Sequence, residues 1–148
     1  MSSSYCNLLY HIVFSTKDRE PWMEASIRSR IHEYLGGAIR AEGGTALIVN
    51  GTADHVHILA KLRQDKALSK LVGELKANSS AWISRAFENT AGFAWQEGYG
   101  AFTVSESQVA KVRGYVERQK EHHRTVSFLE EFKVILRTHG LPFDERYL

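Results

Sequence analysis

The chain has 148 residues, 43% of them hydrophobic and 24% charged, which fits one globular domain with a full core and excludes a disordered or fibrous protein. No run approaches the roughly 18 apolar residues of a membrane span, and the N-terminus lacks the pattern of a signal peptide, so a cytoplasmic protein is expected. The net charge of +2 is too small to indicate nucleic acid unless the positive residues cluster.

Residues 5–15, YCNLLYHIVFS, are rich in aromatic and β-branched side chains and predict a buried strand. Cys6, the single cysteine, cannot make an internal disulfide and is read there as a small buried hydrophobe. The run from Lys17 to Pro21 breaks the strand. A helix follows with Met23, Ile27, Ile31, Tyr34, Leu35 and Ala38 at helical spacing, ending at Gly43-Gly44. Residues 45–50 form a second strand, and Asn50-Gly51 predicts a tight hairpin turn. The return strand, 55–62, places Val56, Ile58, Ala60 and Leu62 on one face and His55, His57, Leu59 and Lys61 on the other.

Asp65 is positioned to cap the next helix, whose apolar stripe is Leu68, Leu71, Val72 and Leu75. A looser stretch leads to a fourth strand over 99–104. Ser105 and Gln108 form a capping-box pattern before the helix that carries Tyr115. Ser127 and Glu130 repeat it before a last helix with Phe128, Phe132, Ile135 and Leu136 inward. Glu130 and Glu131 fall in the first turn of that helix, where its dipole favours acids. The order is βαββαβ followed by two helices. It predicts an α+β, ferredoxin-like antiparallel sheet with helices on one face. The chain reads as one domain, 1–148: a core over about 5–104, a tyrosine helix over about 106–124 and a C-terminal helix over about 128–139.

Two histidines in H-x-H on a strand point the same way, so His55 and His57 can converge on one metal ion. Taken alone, such a pair is as well explained by half-exposed structural histidines. Tyr115 and Gln119, four apart on a helix, present a phenol and an amide together. A metal, a phenol beside it and an amide oxygen to complete the coordination are the parts of a phosphodiester-cleaving site with tyrosine as nucleophile. Without a thiolate the site is weak and open, which suits Mg²⁺ or Mn²⁺ that keeps waters and binds phosphate. Gly114, inside the helix, either admits a ligand or partner or marks a bend.

These residues, with the stretches YHIVFSTKDREPW, GTADHVHIL, LKANSSAWI, FAWQEGYGAFTVS, YVERQKEHH and FDERYL, span nearly the whole chain. In them the chain resembles the single-tyrosine HUH transposases of the IS200/IS605 type, particularly the REP-associated tyrosine transposase branch. The resemblance implies that His55, His57 and Gln119 hold the metal and that Tyr115 is the nucleophile. It implies cleavage of single-stranded or hairpin DNA through a 5′-phosphotyrosine intermediate with a free 3′-OH. It further implies a homodimer in which the tyrosine helix can serve the partner's histidines.

Lys17 and Arg19 beyond the first strand, together with Lys61, Arg118 and His122, are candidate DNA contacts. Solvated surface charge explains the basic clusters almost as well. His122 and His123 are also explained by a solvated helix end, Trp22, Trp82 and Trp95 are either core residues or base-stacking platforms, and Asp54 is not assigned to the metal. Two other functions compete. A catalytically silent DNA- or RNA-binding module would carry aromatics on an exposed sheet face. A hydrolase using activated water would make Tyr115 dispensable.

Overall fold

The computed structural model describes residues 3–148. Four strands, β1 (Leu8–Ser15), β2 (Thr45–Gly51), β3 (His55–Leu62) and β4 (Gly100–Thr103), form one sheet in the order β2-β3-β1-β4. Every neighbouring pair is antiparallel. With α1 (Ala25–Ala41) and α2 (Leu68–Ala86) between the strands, this is the α+β ferredoxin-like arrangement expected from the sequence.

The two central strands are buried on both faces, which explains why β1 reads as a nearly continuous apolar run. Ile12, Phe14, Val56, Ile58 and Ala60 meet Ile31, Leu35, Leu71, Val72 and Ile83 of α1 and α2 in the main core. The opposite face carries His11, Val13, His55 and His57. Here the expected one-sided layout fails: α5 (Phe128–Thr138) lies across this face. Its Phe128, Phe132 and Leu136 pack with Val13 and Phe102 in a second core. An apolar stripe of that width needs a surface to cover, and the histidine-bearing face is the one that α1 and α2 leave bare.

Several local expectations are corrected. The first strand begins at Leu8, and Cys6 is exposed rather than a buried strand residue. Asn50 and Gly51 are not the turn: both still pair with β3, opposite His57 and Val56, and residues 52–54 make the connection. Gly51 is needed for close approach, since a Cβ there would stand 2.1 Å from the His55 carbonyl oxygen. Asp65 does not cap α2, whose N-cap is Ala67; its carboxylate is paired with Arg63 instead. Ser105 makes no capping bond either, whereas Ser127 Oγ accepts from the Glu130 backbone N–H at 3.2 Å.

The single tyrosine helix is broken into a 3-10 turn (Glu106–Gln108), α3 (Val109–Glu117) and a short α4 (Gln119–His122). The chain leaves helical geometry at Arg118, with φ −92° and ψ 18°. Gly114 is explained at the same place: the Arg118 guanidinium folds back over it, 3.1 Å from where a Cβ would stand.

Candidate metal and tyrosine site

The hairpin fixes the first histidine. His55 is fully buried, and its Nδ1 lies 2.8 Å from Asp54 Oδ1 and 3.0 Å from Thr52 Oγ1. A carboxylate on Nδ1 holds the tautomer that leaves Nε2 with a free lone pair. That Nε2 faces Gln119 Oε1 at 3.0 Å and Glu131 Oε1 at 3.5 Å. Two residues along the strand, His57 is also fully buried. Its Nδ1 meets His11 Nε2 at 2.7 Å and its Nε2 meets Glu131 Oε1 at 2.8 Å.

The break at Arg118 places the rest. Asn50 Nδ2 donates to the carbonyl oxygens of Val116 and Glu117 at 3.0 and 3.2 Å, satisfying carbonyls that the end of α3 would leave without partners. This ties the tyrosine helix to the strand opposite His57. Tyr115 lies half-buried with its ring 5.7 Å from that of His57, and its hydroxyl donates to Glu131 Oε2. Gln119 is fully buried and has its oxygen on His55. His122 Nε2 stands 3.4 Å from Glu131 Oε2.

The structure therefore brings together His55, His57, Tyr115, Gln119 and His122, all within one chain. The side chains of Lys17, Arg19, Lys61 and Arg118 do not join them; Arg118 meets the group through its backbone alone, its N–H donating to the Tyr115 carbonyl oxygen at 3.3 Å and its own carbonyl accepting from the His122 N–H at 2.9 Å. Lys17 and Arg19 are exposed on a turn beyond β1, where Arg19 donates to the Leu148 carbonyl oxygen at 3.3 Å. Lys61 lies further along β3, and Arg118 covers Gly114. Of the tryptophans, Trp95 is buried and donates to Ser79 Oγ at 2.9 Å, so it is a core residue. Trp82 stacks on Tyr34 at 4.4 Å.

Two residues of the cluster were not expected among the candidate metal ligands. Glu131, placed in the sequence only as a first-turn acid, is 2% exposed. His123 turns its Nδ1 to the Val126 carbonyl at 2.6 Å and its Nε2 toward Glu131 Oε1 at 3.1 Å. One ligand atom each from His55, His57, His123 and Glu131 lies within 4.8 Å of the others. A signal for Glu131 was present: with Phe128, Phe132 and Ile135 at helical spacing, it sits on the apolar stripe of α5, where an acid needs a reason.

Burial, aided by the nearby charge of His57, pushes His11 down to about 3. Burial also brings His57 down to about 4, against the pull of Glu131. Both are neutral at pH 7, the state in which an imidazole ligates a metal. Burial alone would raise the Glu131 carboxyl, but His123, His57 and Tyr115 hold it well below the usual range. Burial and the adjacent carboxylate of Glu131 both raise the Tyr115 phenol, so the hydroxyl keeps its proton in this arrangement. Buried imidazoles around a buried carboxylate, with a His123 Nε2 that faces Glu131 without an aligned hydrogen bond, are a donor set that fits a divalent cation.

A groove of about 780 Å³ runs beside the cluster, lined by Phe102, Lys111, Val112, Tyr115, Glu131 and Ile135 among others. It gives Tyr115 an open side. The exposed aromatic sheet of an RNA-recognition module is absent among the described residues, since α5 covers that face.

The family model for IS200-like transposases matches residues 4–119, and the chain belongs to that family. It is 24% identical over 119 residues to the ISDra2 transposase TnpA of Deinococcus radiodurans, covering 77% of this chain and 85% of that one. It is 27% identical over 124 residues to the transposase for insertion sequence element IS200 of Salmonella typhimurium, covering 80% of each. A crystal structure of a protein assigned as a transposase from D. radiodurans R1 superposes with a TM-score of 0.65 at 23% identity, covering 80% of this chain and 95% of that one. A REP-associated tyrosine transposase bound to a REP hairpin superposes with a TM-score of 0.55 at 12% identity, covering 80% and 68%. The family identifies a transposase. No helix among the described residues is long and apolar enough to cross a membrane.

Proposed function

We propose that this transposase cleaves and rejoins single-stranded or hairpin DNA in a metal-dependent reaction with Tyr115 as nucleophile. The observation that carries the reading is the meeting of Tyr115, His57, His55 and Gln119 in one buried cluster beside an open groove. His55, His57 and Gln119 would hold a divalent cation, Mg²⁺ or Mn²⁺ being the ions such open sites use. When bound, the cation neutralises charge on the phosphate oxygens.

The chain's own residues do the rest. Tyr115 Oη attacks phosphorus, and the bond from phosphorus to the 3′ oxygen breaks. The phenol's proton, hydrogen-bonded to Glu131 before the attack, ends on that oxygen, leaving a 5′-phosphotyrosine and a free 3′-OH. The reverse attack by a 3′-OH reseals a strand without ATP, because the phosphodiester energy is kept in the protein link. Hairpin DNA is the proposed partner because attack requires a phosphate that can bend into the site, and one structural neighbour is bound to a REP hairpin.

Lys17, Arg19, Lys61, Arg118 and His122 are the proposed phosphate contacts, and Lys111 joins them because it lines the groove. A cytoplasmic homodimer is part of the proposal. The edge strands β2 and β4 offer it a surface, and sedimentation at about twice 16.8 kDa tests it. The central test is a denaturing gel with labelled single-stranded DNA from the protein's own genomic neighbourhood. A protein-linked band is expected with Mg²⁺ or Mn²⁺ and none with a chelator. Cleavage to free ends without any adduct would favour activated water over Tyr115.

A further inference from the structure

We infer that the metal centre of this chain is completed by His123 and Glu131, two ligands supplied from beyond residue 119, where the family match ends. The inference rests on the metal reading above and adds ligands and an ion preference to it.

Each of the three histidines is held by Nδ1 and presents Nε2. Asp54 and Thr52 hold His55, His11 holds His57, and the Val126 carbonyl holds His123. Metal-ligating imidazoles are oriented in this way, by a partner on the far ring nitrogen. The three Nε2 atoms surround Glu131 Oε1 at 2.8, 3.1 and 3.5 Å. Of these only the His57 contact is an aligned hydrogen bond; His123 Nε2 is buried without an aligned partner, and His55 Nε2 is shared between Glu131 Oε1 and Gln119 Oε1. Donors bound to one ion at about 2.0–2.2 Å fall roughly 3–3.5 Å apart; the three nitrogens stand 2.8–3.5 Å from Oε1, and all four donor atoms lie within 4.8 Å of one another, close enough for one ion to draw them together. The side chains of His55, His57 and Glu131 are at most 1% exposed and that of His123 is 9% exposed, so the donors are already dry and gathered.

Three imidazoles and one carboxylate, joined to the Gln119 amide oxygen, are a softer set than the oxygen ligands Mg²⁺ prefers, so a borderline ion such as Zn²⁺ is held more tightly than the Mg²⁺ or Mn²⁺ proposed for cleavage. The carboxylate also divides its oxygens. Oε1 faces the histidines, while Oε2 accepts the Tyr115 hydroxyl. One side chain of α5 thus links the metal ligands to the nucleophile, and the C-terminal helix becomes part of the site instead of a cover for the sheet.

Calorimetric titration of Zn²⁺ and of Mg²⁺ into the full chain tests this, with His57→Ala, His123→Ala and Glu131→Gln beside the wild type and circular dichroism as the fold control. One Zn²⁺ per chain is expected, held at least tenfold more tightly than Mg²⁺. Both His123→Ala and Glu131→Gln should weaken Zn²⁺ at least tenfold. Loss of binding in His57→Ala with unchanged binding in the other two overturns this inference and leaves the metal reading intact. A wild type that binds neither ion overturns both. Should a variant fail to fold, the Cu²⁺-loaded wild type decides by electron spin-echo modulation: three coordinated imidazoles support the inference, and two overturn it.

Discussion

Asp54 Oδ1 lies 2.8 Å from His55 Nδ1, one residue away in sequence at the mouth of the β2–β3 hairpin. Burial works against the Asp54 carboxylate, but the hydrogen bond and charge of His55 outweigh it and lower its pKa. The acid therefore stays ionised and keeps a proton on Nδ1, leaving Nε2 for a metal. Asp54→Asn keeps the shape but loses the charge and permits the wrong tautomer. Divalent metal affinity is expected to fall about 10–100-fold, as when such supporting partners are removed elsewhere, with a nearly unchanged melting temperature. Equal calorimetric affinity in the two proteins would show that His55 needs no such support.

Tyr115→Phe removes one oxygen and keeps the ring against His57. Glu131 loses a hydrogen-bond donor but keeps His57, so the stability cost should be about 1 kcal/mol. The covalent DNA adduct should vanish entirely, while metal binding stays within a few-fold. If the protein-linked band persists on a denaturing gel, the nucleophile is another side chain, with Tyr99 and Tyr147 the next to test.

Asn50→Ala should act on activity through geometry. Its amide bridges β2 to the last carbonyls of α3, one residue from Tyr115 and two from Gln119. Removing it leaves those carbonyls to water or nothing, at about 1–2 kcal/mol, and frees the break at Arg118. Adduct formation should slow by an order of magnitude or more with intact folding by circular dichroism. Wild-type rates would mean that packing of Val116 alone positions the helix.

The sheet and its order were legible because strands and helices alternate with clean periodicity, and the first histidine pair followed from period two alone. Turn chemistry was less legible. Asn50-Gly51 has the composition of a two-residue turn, yet Gly51 is there so that the strand can pass the His55 carbonyl and Asn50 so that its side chain can reach α3. Glycine and asparagine serve both ends, and composition does not separate them. The extent of the site was also hidden. His123 and Glu131 lie far along the chain from His55, and nothing local shows that α5 crosses the histidine face. The acid on the apolar stripe at position 131 was the trace, masked because first turns favour acids anyway.

His32 provides a test of acid stability away from the tyrosine. It lies on α1 with its Nε2 buried and unmatched. Burial, then the charges of Arg28 and His55, lower its pKa from 6.5 to about 4. A lowered histidine means that the unfolded chain binds the proton more readily than the folded one. Stability tied to His32 is thus full above the unfolded value near 6.5 and is lost as pH falls toward 4. At pH 5 the loss from this residue is about 2 kcal/mol at most. His32→Leu removes the titrating group together with the unmatched nitrogen, so the variant should be at least as stable as the wild type at pH 7.5. His11, also lowered, titrates in both proteins and cancels in the comparison. Urea unfolding at pH 7.5 and pH 5.0 should therefore show a smaller acid loss in His32→Leu, by about 1–2 kcal/mol. Parallel losses in the two proteins would place the acid sensitivity in the histidine cluster beneath α5 instead.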